Sequence, residues 1–321
     1  MKIVFWGSAD FSLPSLEALR KEFDVIGVVT NTDKKVGRGM KETKMTPMKY
    51  CSLQNDLICM QPQSMKDPVF IEELKKINAD LFVVAAFGHI IPEEIIYMPK
   101  YDTINLHASL LPRYRGASPI HQALLNDDNY TGNTIQFITK ELDKGDIILQ
   151  SKIEIGKDEF FDSLHNRLAK DGAELLIEAI KLIKSNNIKR IKQDDTKASF
   201  CKIIKKEDGL IDFKTQTARE IYNRFRAFSN WPKIYSVYSC LQRCEADKPK
   251  EIRIVLTSIR ENRNLSGEAG KIININKRVL TVACKDGAID ITGLKPSGKS
   301  EMDISAFING YHPKCGNYFQ I

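Results

Sequence analysis

Residues 2–30, KIVFWGSADFSLPSLEALRKEFDVIGVVT, decide the fold class. The apolar run KIVFWG ends at Gly7 and predicts a buried strand. In the next segment, SLPSLEALRKEF, Leu13, Leu16 and Leu19 fall on one stripe of a predicted helix, and DVIGVVT predicts a second buried strand. Strands that are apolar on both faces and alternate with amphipathic helices are typical of a parallel sheet covered by helices.

The same alternation continues to about residue 189. Further strands are predicted at LICMQ, ADLFVVAAF, DTINLHAS, NTIQFIT and IILQSKIEI, and a long helix at FFDSLHNRLAKDGAELLIEAIKLIKS. Residues 190–206 are polar and charged, and residues 207–321 contain short strands separated by Gly, Asn and Lys turns after one helix. We therefore expect an α/β fold: a Rossmann-like, mostly parallel sheet in a catalytic domain (1–189), a linker (190–206), and a smaller C-terminal β-barrel of OB-like type (207–321).

Composition favours a globular cytoplasmic protein. The chain has 321 residues, of which 42% are hydrophobic and 28% charged. We find no secretory signal at the start and no apolar run long enough to span a bilayer. The seven cysteines are scattered without zinc-site spacing, which favours reduced thiols and no metal site. Nothing in the sequence requires more than a monomer.

The positive charge is concentrated near the C-terminus. Residues 1–200 carry 27 Lys and Arg against 28 Asp and Glu, whereas the rest of the chain carries 21 against 13, giving +7 in all. A basic domain beside a neutral one indicates a polyanionic partner such as nucleic acid. A generally lysine-rich proteome explains the same excess equally well.

The end of the predicted strand DTINLHAS carries the most suggestive polar residues. Asn105 and His107 are two positions apart and so leave the same face of the strand. Ligands collect at the carboxyl ends of parallel strands, where an amide and an imidazole can stabilise an oxyanion and transfer protons. Taken alone, the pair is more often an Asn that ends a strand and a His satisfied by backbone carbonyls.

Two flanking features strengthen the functional interpretation. Pro112 and Gly116 give the following loop, SLLPRYRGASP, a defined shape. The segment ELDKGDIIL places Asp143 and Asp146 in a turn between two strands, either as an ordinary turn or as carboxylates near the Asn/His pair. The sequence contains no Gly-x-Gly-x-x-Gly and no Walker motif, which disfavours a dinucleotide or nucleoside triphosphate.

NLHASLLPRYRGASPI together with LDKGDI resembles the signature of the 10-formyltetrahydrofolate-dependent formyltransferases. Within that superfamily, nearly the whole chain is similar to the methionyl-tRNA formyltransferase family, through FWGSADFSLPSLEAL, GRGMKETKMTPMK, PQS, IYNRFRAFSNWP and GLKPSGKSEM. The resemblance implies transfer of a formyl group from 10-formyltetrahydrofolate to the α-amine of methionyl initiator tRNA. It also implies that the C-terminal barrel helps to hold the tRNA.

The resemblance assigns roles to three groups of residues. It implies a catalytic trio of Asn105, His107 and Asp143. The folate pocket is expected to be lined by Phe87, Gly88, His89, Ile90, Ile91, Pro92, Ser109, Leu110, Leu111 and Pro112. Contacts to tRNA are expected from Lys34, Lys35, Arg38, Lys41, Lys44, Lys202, Lys205 and Lys206. Without the resemblance, basic runs this short are more often solvated faces.

Other functions fit parts of the pattern. A formyltransferase acting on a nucleotide-linked amino sugar or a purine precursor shares the trio but needs no basic barrel. A hydrolase that releases formate from the folate is disfavoured by the basic residues between Lys34 and Lys44. An RNA-binding protein with a vestigial catalytic domain is disfavoured by the intact trio. Arg113 and Arg115, beside the active-site loop, fit a folate-tail contact, an RNA phosphate contact or a structural salt bridge.

Overall fold

The protein was analysed as a computed structural model that describes residues 1–37, 42–240 and 250–320. The chain forms two compact units. The first contains Met1–Ile120, Asn129–Gly156 and Ser163–Ile203, and the second contains His121–Asp128, Lys157–Asp162 and Ile204–Ile321. The first unit therefore takes in most of the segment for which the sequence predicts a linker.

The first unit is built from strands and helices in alternation. Its strands are β1 (Lys2–Gly7), β2 (Asp24–Val29), β3 (Lys34–Val36), β4 (Glu42–Lys44), β5 (Ile58–Met60), β6 (Leu81–Ala85), β7 (Thr103–His107), β8 (Arg115–Gly116), β9 (Tyr130–Phe137), β10 (Ile147–Glu154) and β11 (Phe200–Cys201). The helices of this part of the chain are α1 (Leu13–Glu22), α2 (Pro47–Gln54), α3 (Pro68–Ile77), α4 (Glu93–Ile96), α5 (Pro119–Leu125) and α6 (Phe161–Lys184). The unit boundaries fall within α5 and α6.

The main sheet has the strand order β10-β9-β7-β6-β1-β2-β5. Strands β5, β2, β1, β6 and β7 run parallel, whereas β9 and β10 are antiparallel to their neighbours. All five residues of β6 are buried, as expected for a central strand with both faces covered. The predicted mostly parallel, Rossmann-like sheet is therefore confirmed.

Aromatic side chains dominate one part of the core. Trp6 of β1 lies 5.4 Å from Phe82 of β6 and 6.0 Å from Phe70 of α3, measured between ring centroids. All three side chains are buried. Asp67 fixes the start of α3 by accepting a hydrogen bond from the backbone N–H of Val69. The capped helix thus presents its apolar stripe to the sheet.

Truncation of Phe82 to alanine should lower the free energy of unfolding of the first unit by about 3–5 kcal/mol, because it removes a fully packed ring and leaves a cavity. The matched control is Val69→Ala, because Val69 of α3 is 65% exposed, and this change should alter the stability by less than about 0.5 kcal/mol. Urea denaturation followed by tryptophan fluorescence checks this prediction. The Trp231→Phe background is used because Trp6, in the first unit, is then the only tryptophan. Equal losses in both variants would contradict the packing argument.

Over its described residues, the second unit is a small antiparallel barrel with two further helices. Its elements are α7 (Ala218–Ala227), β12 (Tyr235–Cys240), β13 (Lys250–Asn262), β14 (Ile272–Ile275), β15 (Leu280–Ala283), β16 (Ala288–Pro296), β17 (Met302–Asp303), α8 (Ile304–Tyr311) and β18 (Phe319–Gln320). The strands follow the order β14-β15-β16-β13-β12-β18, with β17 on β16.

The two ends of this second sheet meet. Ile272 donates its N–H to the carbonyl of Asn317 at 2.9 Å, and Phe319 donates to the carbonyl of Gly270 at 2.9 Å. These bonds join the start of β14 to the segment that enters β18, so the two ends of the sheet are connected there. The expected C-terminal β-barrel is therefore confirmed. Helix α8 was not predicted from the sequence.

Over the described ranges, the helices are all too short or too polar to cross a membrane.

Candidate active site

Three loops leave the same edge of the main sheet. Strands β2, β6 and β7 are parallel, so the segments that follow Val29, Ala85 and His107 all start at the carboxyl edge. This edge is where ligands bind in open α/β sheets. These three segments carry the predicted tRNA-contacting residues Lys34–Lys44, the predicted folate turn at residues 87–92, and the loop at residues 109–118, which we call the catalytic loop.

Asn105 and His107 lie on β7 as the sequence predicts. Asn105 is half-buried and stands opposite Gln136 of β9, while His107 is 6% exposed and stands opposite Thr134. The two residues share a face because strand side chains alternate. Their amide and imidazole groups are thus presented together at the end of β7.

The hydrogen bond of His107 defines its tautomer. Its Nε2 lies 2.9 Å from the backbone carbonyl oxygen of Tyr114. A carbonyl can only accept, so Nε2 must carry a proton, and in the neutral ring Nδ1 is left as the basic nitrogen. Nδ1 lies 3.6 Å from Oδ2 of Asp143. The ring is therefore held between a backbone acceptor and a carboxylate, with Nδ1 available to take up a proton.

Asp143 is held in place by two donors. Its Oδ2 accepts the backbone N–H of Gly116 at 2.8 Å, and its Oδ1 accepts from Nε2 of Gln136 at 3.0 Å. Asp143 lies in the turn between β9 and β10 and has a φ of +49°. The structure thus brings Asn105, His107 and Asp143, separated by 38 residues in the sequence, to one place. Their catalytic roles remain a prediction.

Gly116 makes this arrangement sterically possible. Its φ is +114°, and a Cβ atom on this residue would lie 2.4 Å from the carbonyl oxygen of Cys201. A side chain would therefore displace one of the two backbones. The glycine lets the N–H of residue 116 reach the carboxylate of Asp143.

Two glutamines that the sequence did not suggest complete the surroundings of Asp143. Gln193 donates through Nε2 to the carbonyl oxygens of Asp143 and Gly145, each at 2.8 Å, and to Oε1 of Gln136 at 3.1 Å. Gln136 has one sequence signal, a polar residue within the apolar run NTIQFIT. Gln193 has none, because it lies 50 residues after Asp143 in a polar segment.

Arg115 supports the loop from within. Its side chain is 4% exposed, donates to Oε1 of Gln193 and forms a 2.8 Å ion pair with Asp195. The hydrogen bond from Arg115 lowers the pKa of the Asp195 carboxyl, and Lys144 adds to this effect. Of the three roles that the sequence left open for Arg115, the geometry favours that of a structural salt bridge. Arg113 instead donates to the hydroxyl of Tyr114 at 2.7 Å.

The predicted folate residues fall into two turns on neighbouring strands. After β6, Phe87 is buried against Trp6, Gly88 has a φ of +81°, and Ile90 is 86% exposed. His89 is also exposed, Ile91 is buried and Pro92 is half-buried. This first turn therefore presents its middle residues outward from a buried base.

The second turn, after β7, is fixed by its neighbour β9. Thr134 donates through Oγ1 to the carbonyl of Ser109 at 2.6 Å and accepts the N–H of Leu111 at 3.1 Å. Gln150 donates to the carbonyl of Leu111 at 2.9 Å. Leu110 and Pro112 are half-buried. The loop backbone is thus preorganised, as a binding surface for a flat heterocycle requires.

The predicted tRNA lysines divide between two regions. Lys34, Lys35 and Lys44 are exposed on the β3–β4 hairpin, where Lys34 pairs directly with Lys44. Arg38 and Lys41 lie outside the described residues. The remaining predicted lysines are all exposed; Lys202 belongs to the first unit, and Lys205 and Lys206 belong to the second.

Comparison with known protein families gives two matches. Residues 1–180 match the family model described as "Formyl transferase". Residues 203–312 match the model "Formyl transferase, C-terminal domain". Together the two models account for most of the chain.

Curated relatives match nearly end to end. The methionyl-tRNA formyltransferase of Fusobacterium nucleatum is 41% identical over 317 residues, which cover 98% of this chain and 99% of the relative. That of Caldicellulosiruptor saccharolyticus is 42% identical over 321 residues and 99% of both chains. Among solved structures, the sugar 3N-formyl transferase WlaRD gives a TM-score of 0.64 at 22% identity, covering 94% of this chain and 99% of the other. The last similarity is one of fold. By its domains and its relatives, the chain belongs to the methionyl-tRNA formyltransferase family.

Proposed function

We propose that the protein transfers the formyl group of 10-formyltetrahydrofolate to the α-amine of methionyl initiator tRNA. The observation that carries this proposal is the cluster of Asn105, His107 and Asp143 at the carboxyl edge of the sheet, in a chain 41% identical to a methionyl-tRNA formyltransferase. The product is N-formylmethionyl-tRNA, the form used to start translation.

The reaction forms one C–N bond and breaks another. The neutral amine of the methionyl group attacks the formyl carbon and gives a tetrahedral oxyanion. Collapse of this intermediate breaks the bond from the formyl carbon to N10 of the folate, and the proton lost by the amine ends on N10. The enzyme therefore has to stabilise an oxyanion and move one proton.

The cluster supplies groups for both tasks. Asn105 provides an amide donor for the oxyanion. His107 is set up to accept a proton at Nδ1, because its Nε2 is committed to the carbonyl of Tyr114. Asp143, anchored by Gly116 and Gln136, stabilises the imidazolium that results. Positioning the two substrates against each other supplies a further part of the acceleration.

The two turns at the same edge are the proposed folate site. The turn at residues 87–92 offers exposed side chains on a buried base, and the loop at residues 109–112 offers a backbone held by Thr134 and Gln150. Both leave the sheet beside the proposed catalytic cluster. We assign them to the donor and not to the tRNA because they carry no cluster of basic residues.

One assay tests the function. The protein is incubated with 10-formyltetrahydrofolate and either methionyl initiator tRNA, a nucleotide-linked amino sugar, a purine precursor or no acceptor, and the formyl group is followed. Only the tRNA should become formylated. Formylation of the amino sugar or the purine precursor would indicate the alternative acceptor, and free formate without an acceptor would indicate a hydrolase.

The hairpin lysines are the proposed contacts to tRNA phosphates. Lys34 and Lys44 are exposed and directly opposite each other on antiparallel strands, a pairing of like charges that is unfavourable unless an anion lies between them. The hairpin follows β2, so it rises from the edge that holds the catalytic cluster. The base of this loop is fixed by a 2.6 Å ion pair between Asp33 and Lys49.

Replacing Lys34 and Lys44 by alanine should weaken tRNA binding and reduce the slope of log affinity against log salt by about 1.4–1.8, the value for two lost phosphate contacts. Filter binding at several salt concentrations measures this slope. Lys184→Ala, which removes an exposed lysine at the end of α6, is the control and should leave the slope unchanged. An unchanged slope in the double variant would mean that Lys34 and Lys44 face solvent and do not contact tRNA phosphates.

We further propose that Arg38, Lys41, Lys202, Lys205 and Lys206 also contact tRNA phosphates. The protein is proposed to act as a monomer, because one chain provides all three proposed catalytic groups, and to act in the cytoplasm.

A further inference from the structure

Residues 199–201 lie against the catalytic loop. Phe200 and Cys201 form β11, which pairs in parallel with Arg115 and Gly116 of β8. Cys201 is buried, and its thiol donates to the carbonyl of Tyr114 at 3.4 Å. Burial raises the pKa of this thiol, so it remains a neutral donor. This short segment, which we call the strap, comes from a part of the chain that the sequence suggests is a linker.

Ser199 makes the densest set of bonds within the strap. Its N–H donates to the carbonyl of Pro112 at 3.2 Å, and its carbonyl accepts the N–H of Arg115 at 2.8 Å. Its Oγ accepts the N–H of Tyr114 at 2.9 Å. One serine therefore bonds to three residues within a four-residue stretch of the loop, and only the third bond depends on its side chain.

The loop residue that Ser199 holds is strained and touches the catalytic histidine. Tyr114 has a φ of +59°, a conformation that residues other than glycine adopt only when their surroundings enforce it. Its carbonyl accepts from Nε2 of His107. Its N–H is bonded to Ser199. The same peptide segment thus connects the hydroxyl of Ser199 to the imidazole of His107.

We propose that Ser199 is a positioning residue that fixes the tautomer and orientation of His107 through the backbone of Tyr114. Its Oγ holds the N–H of Tyr114, and the resulting backbone conformation directs the Tyr114 carbonyl at Nε2. Nδ1 then remains the basic nitrogen beside Asp143. This inference rests on the proposed function for its kinetic consequence but not for its spectroscopic one.

The kinetic test uses Ser199→Ala and Ser199→Thr. The alanine variant should lower kcat for formyl transfer about tenfold, since small displacements of a catalytic group are costly, and leave KM for the formyl donor unchanged. The threonine variant keeps the hydroxyl and should restore most of kcat. Ser185→Ala, at the exposed end of α6, removes a serine hydroxyl outside the site and should have no effect. Wild-type kcat in Ser199→Ala would overturn the proposal.

A double variant distinguishes an effect of Ser199 on the position of His107 from an effect on folding. In a His107→Ala background, Ser199→Ala should cause no further loss in single-turnover rate, because the group it positions is absent. A loss of the same tenfold in both backgrounds would mean that Ser199 acts on folding or on another group, and would overturn the proposal.

A spectroscopic measurement makes the inference independent of catalysis. The protein has five histidines, and loss of one signal set in His107→Ala assigns the ring of His107 in spectra of ¹⁵N-histidine-labelled protein. The wild-type ring should be the Nε2–H tautomer, and Ser199→Ala should convert it to a mixture. An unchanged tautomer would overturn the proposal even if formylation is normal. If the wild-type protein formylates no acceptor but the tautomer still responds to Ser199, the proposed function fails and the positioning role stands.

Discussion

Replacing His107 by alanine should lower the turnover of formyl transfer by about 100- to 10,000-fold, the range typical of an acid–base group in an enzyme. The structure gives the reason: a buried imidazole is held by the Tyr114 carbonyl with its second nitrogen 3.6 Å from Asp143. The proton released by the attacking amine then has no acceptor in place.

Single-turnover formylation with both substrates saturating measures the loss at the chemical step. His165→Ala is the control, because it removes a half-buried imidazole that packs on Phe11, outside the cluster, and should leave the rate nearly unchanged. Asn105→Ala should lower the rate by about 100- to 1,000-fold, as expected for loss of one oxyanion donor. Near-normal rates for His107→Ala with a folded protein would remove His107 from the mechanism.

The fold of the first unit is largely predictable from local sequence patterns. The apolar runs around β1, β2, β6 and β7 are buried on both faces, so their hydrophobicity alone identifies them as central strands. The β3–β4 hairpin was not predicted, because its strands are three residues each and five of these six residues are polar or charged. Such strands depend on pairing and on the anchoring of Asp33, which no periodicity reveals.

The candidate site is predictable only where its residues are close in sequence. Asn105 and His107 belong to one strand, so their common face follows from the two-residue period. The position of Asp143 beside them could be suggested by a turn motif and a family resemblance. Gln136 was not recognised although it faces Asn105, because a single polar residue in a strand has many uses.

The sequence does not indicate which distant residues hold the loop of the candidate site in place. Gln193 and Ser199 reach the site from a polar segment some 80 residues after the loop they bind, through contacts to Arg115 and Tyr114. Their side chains are common in surface loops, and only the folded chain shows that they hold the loop. Preorganisation by such residues has no compositional signature.

In the second unit, the fold class is predictable from local sequence patterns, whereas the way the ends of the sheet join is not. Its barrel class follows from short strands separated by turns, but its closure depends on hydrogen bonds between residues 270–272 and 317–319, far apart along the sheet order. Helix α8 lies between β17 and β18 and begins at the cap Asp303, which accepts the N–H of Ala306. A cap of this kind is a sequence signal for the start of a helix, but the residues around it otherwise predict short strands.

Asp143→Asn should produce the other large loss, about 100- to 10,000-fold in kcat, although the replacement has almost the same shape. The carboxylate accepts from two donors, the N–H of Gly116 on Oδ2 and the amide of Gln136 on Oδ1. An asparagine can accept from only one of them, because its other terminal group is itself a donor. It also removes the negative charge that stabilises an imidazolium at His107.

This substitution distinguishes charge from geometry when it is compared with two others. Gln136→Ala removes one anchor of Asp143 but keeps the charge, so its loss in kcat should be smaller, about tenfold, because the carboxylate is still held by Gly116. Asp146→Asn makes the same chemical change in the same turn, three residues away, and should be nearly silent. Steady-state kinetics with both substrates and thermal unfolding of each variant supply the comparison. If Asp143→Asn lost no more activity than Asp146→Asn while remaining folded, the carboxylate would be a turn residue and the imidazolium would have to be stabilised by another group.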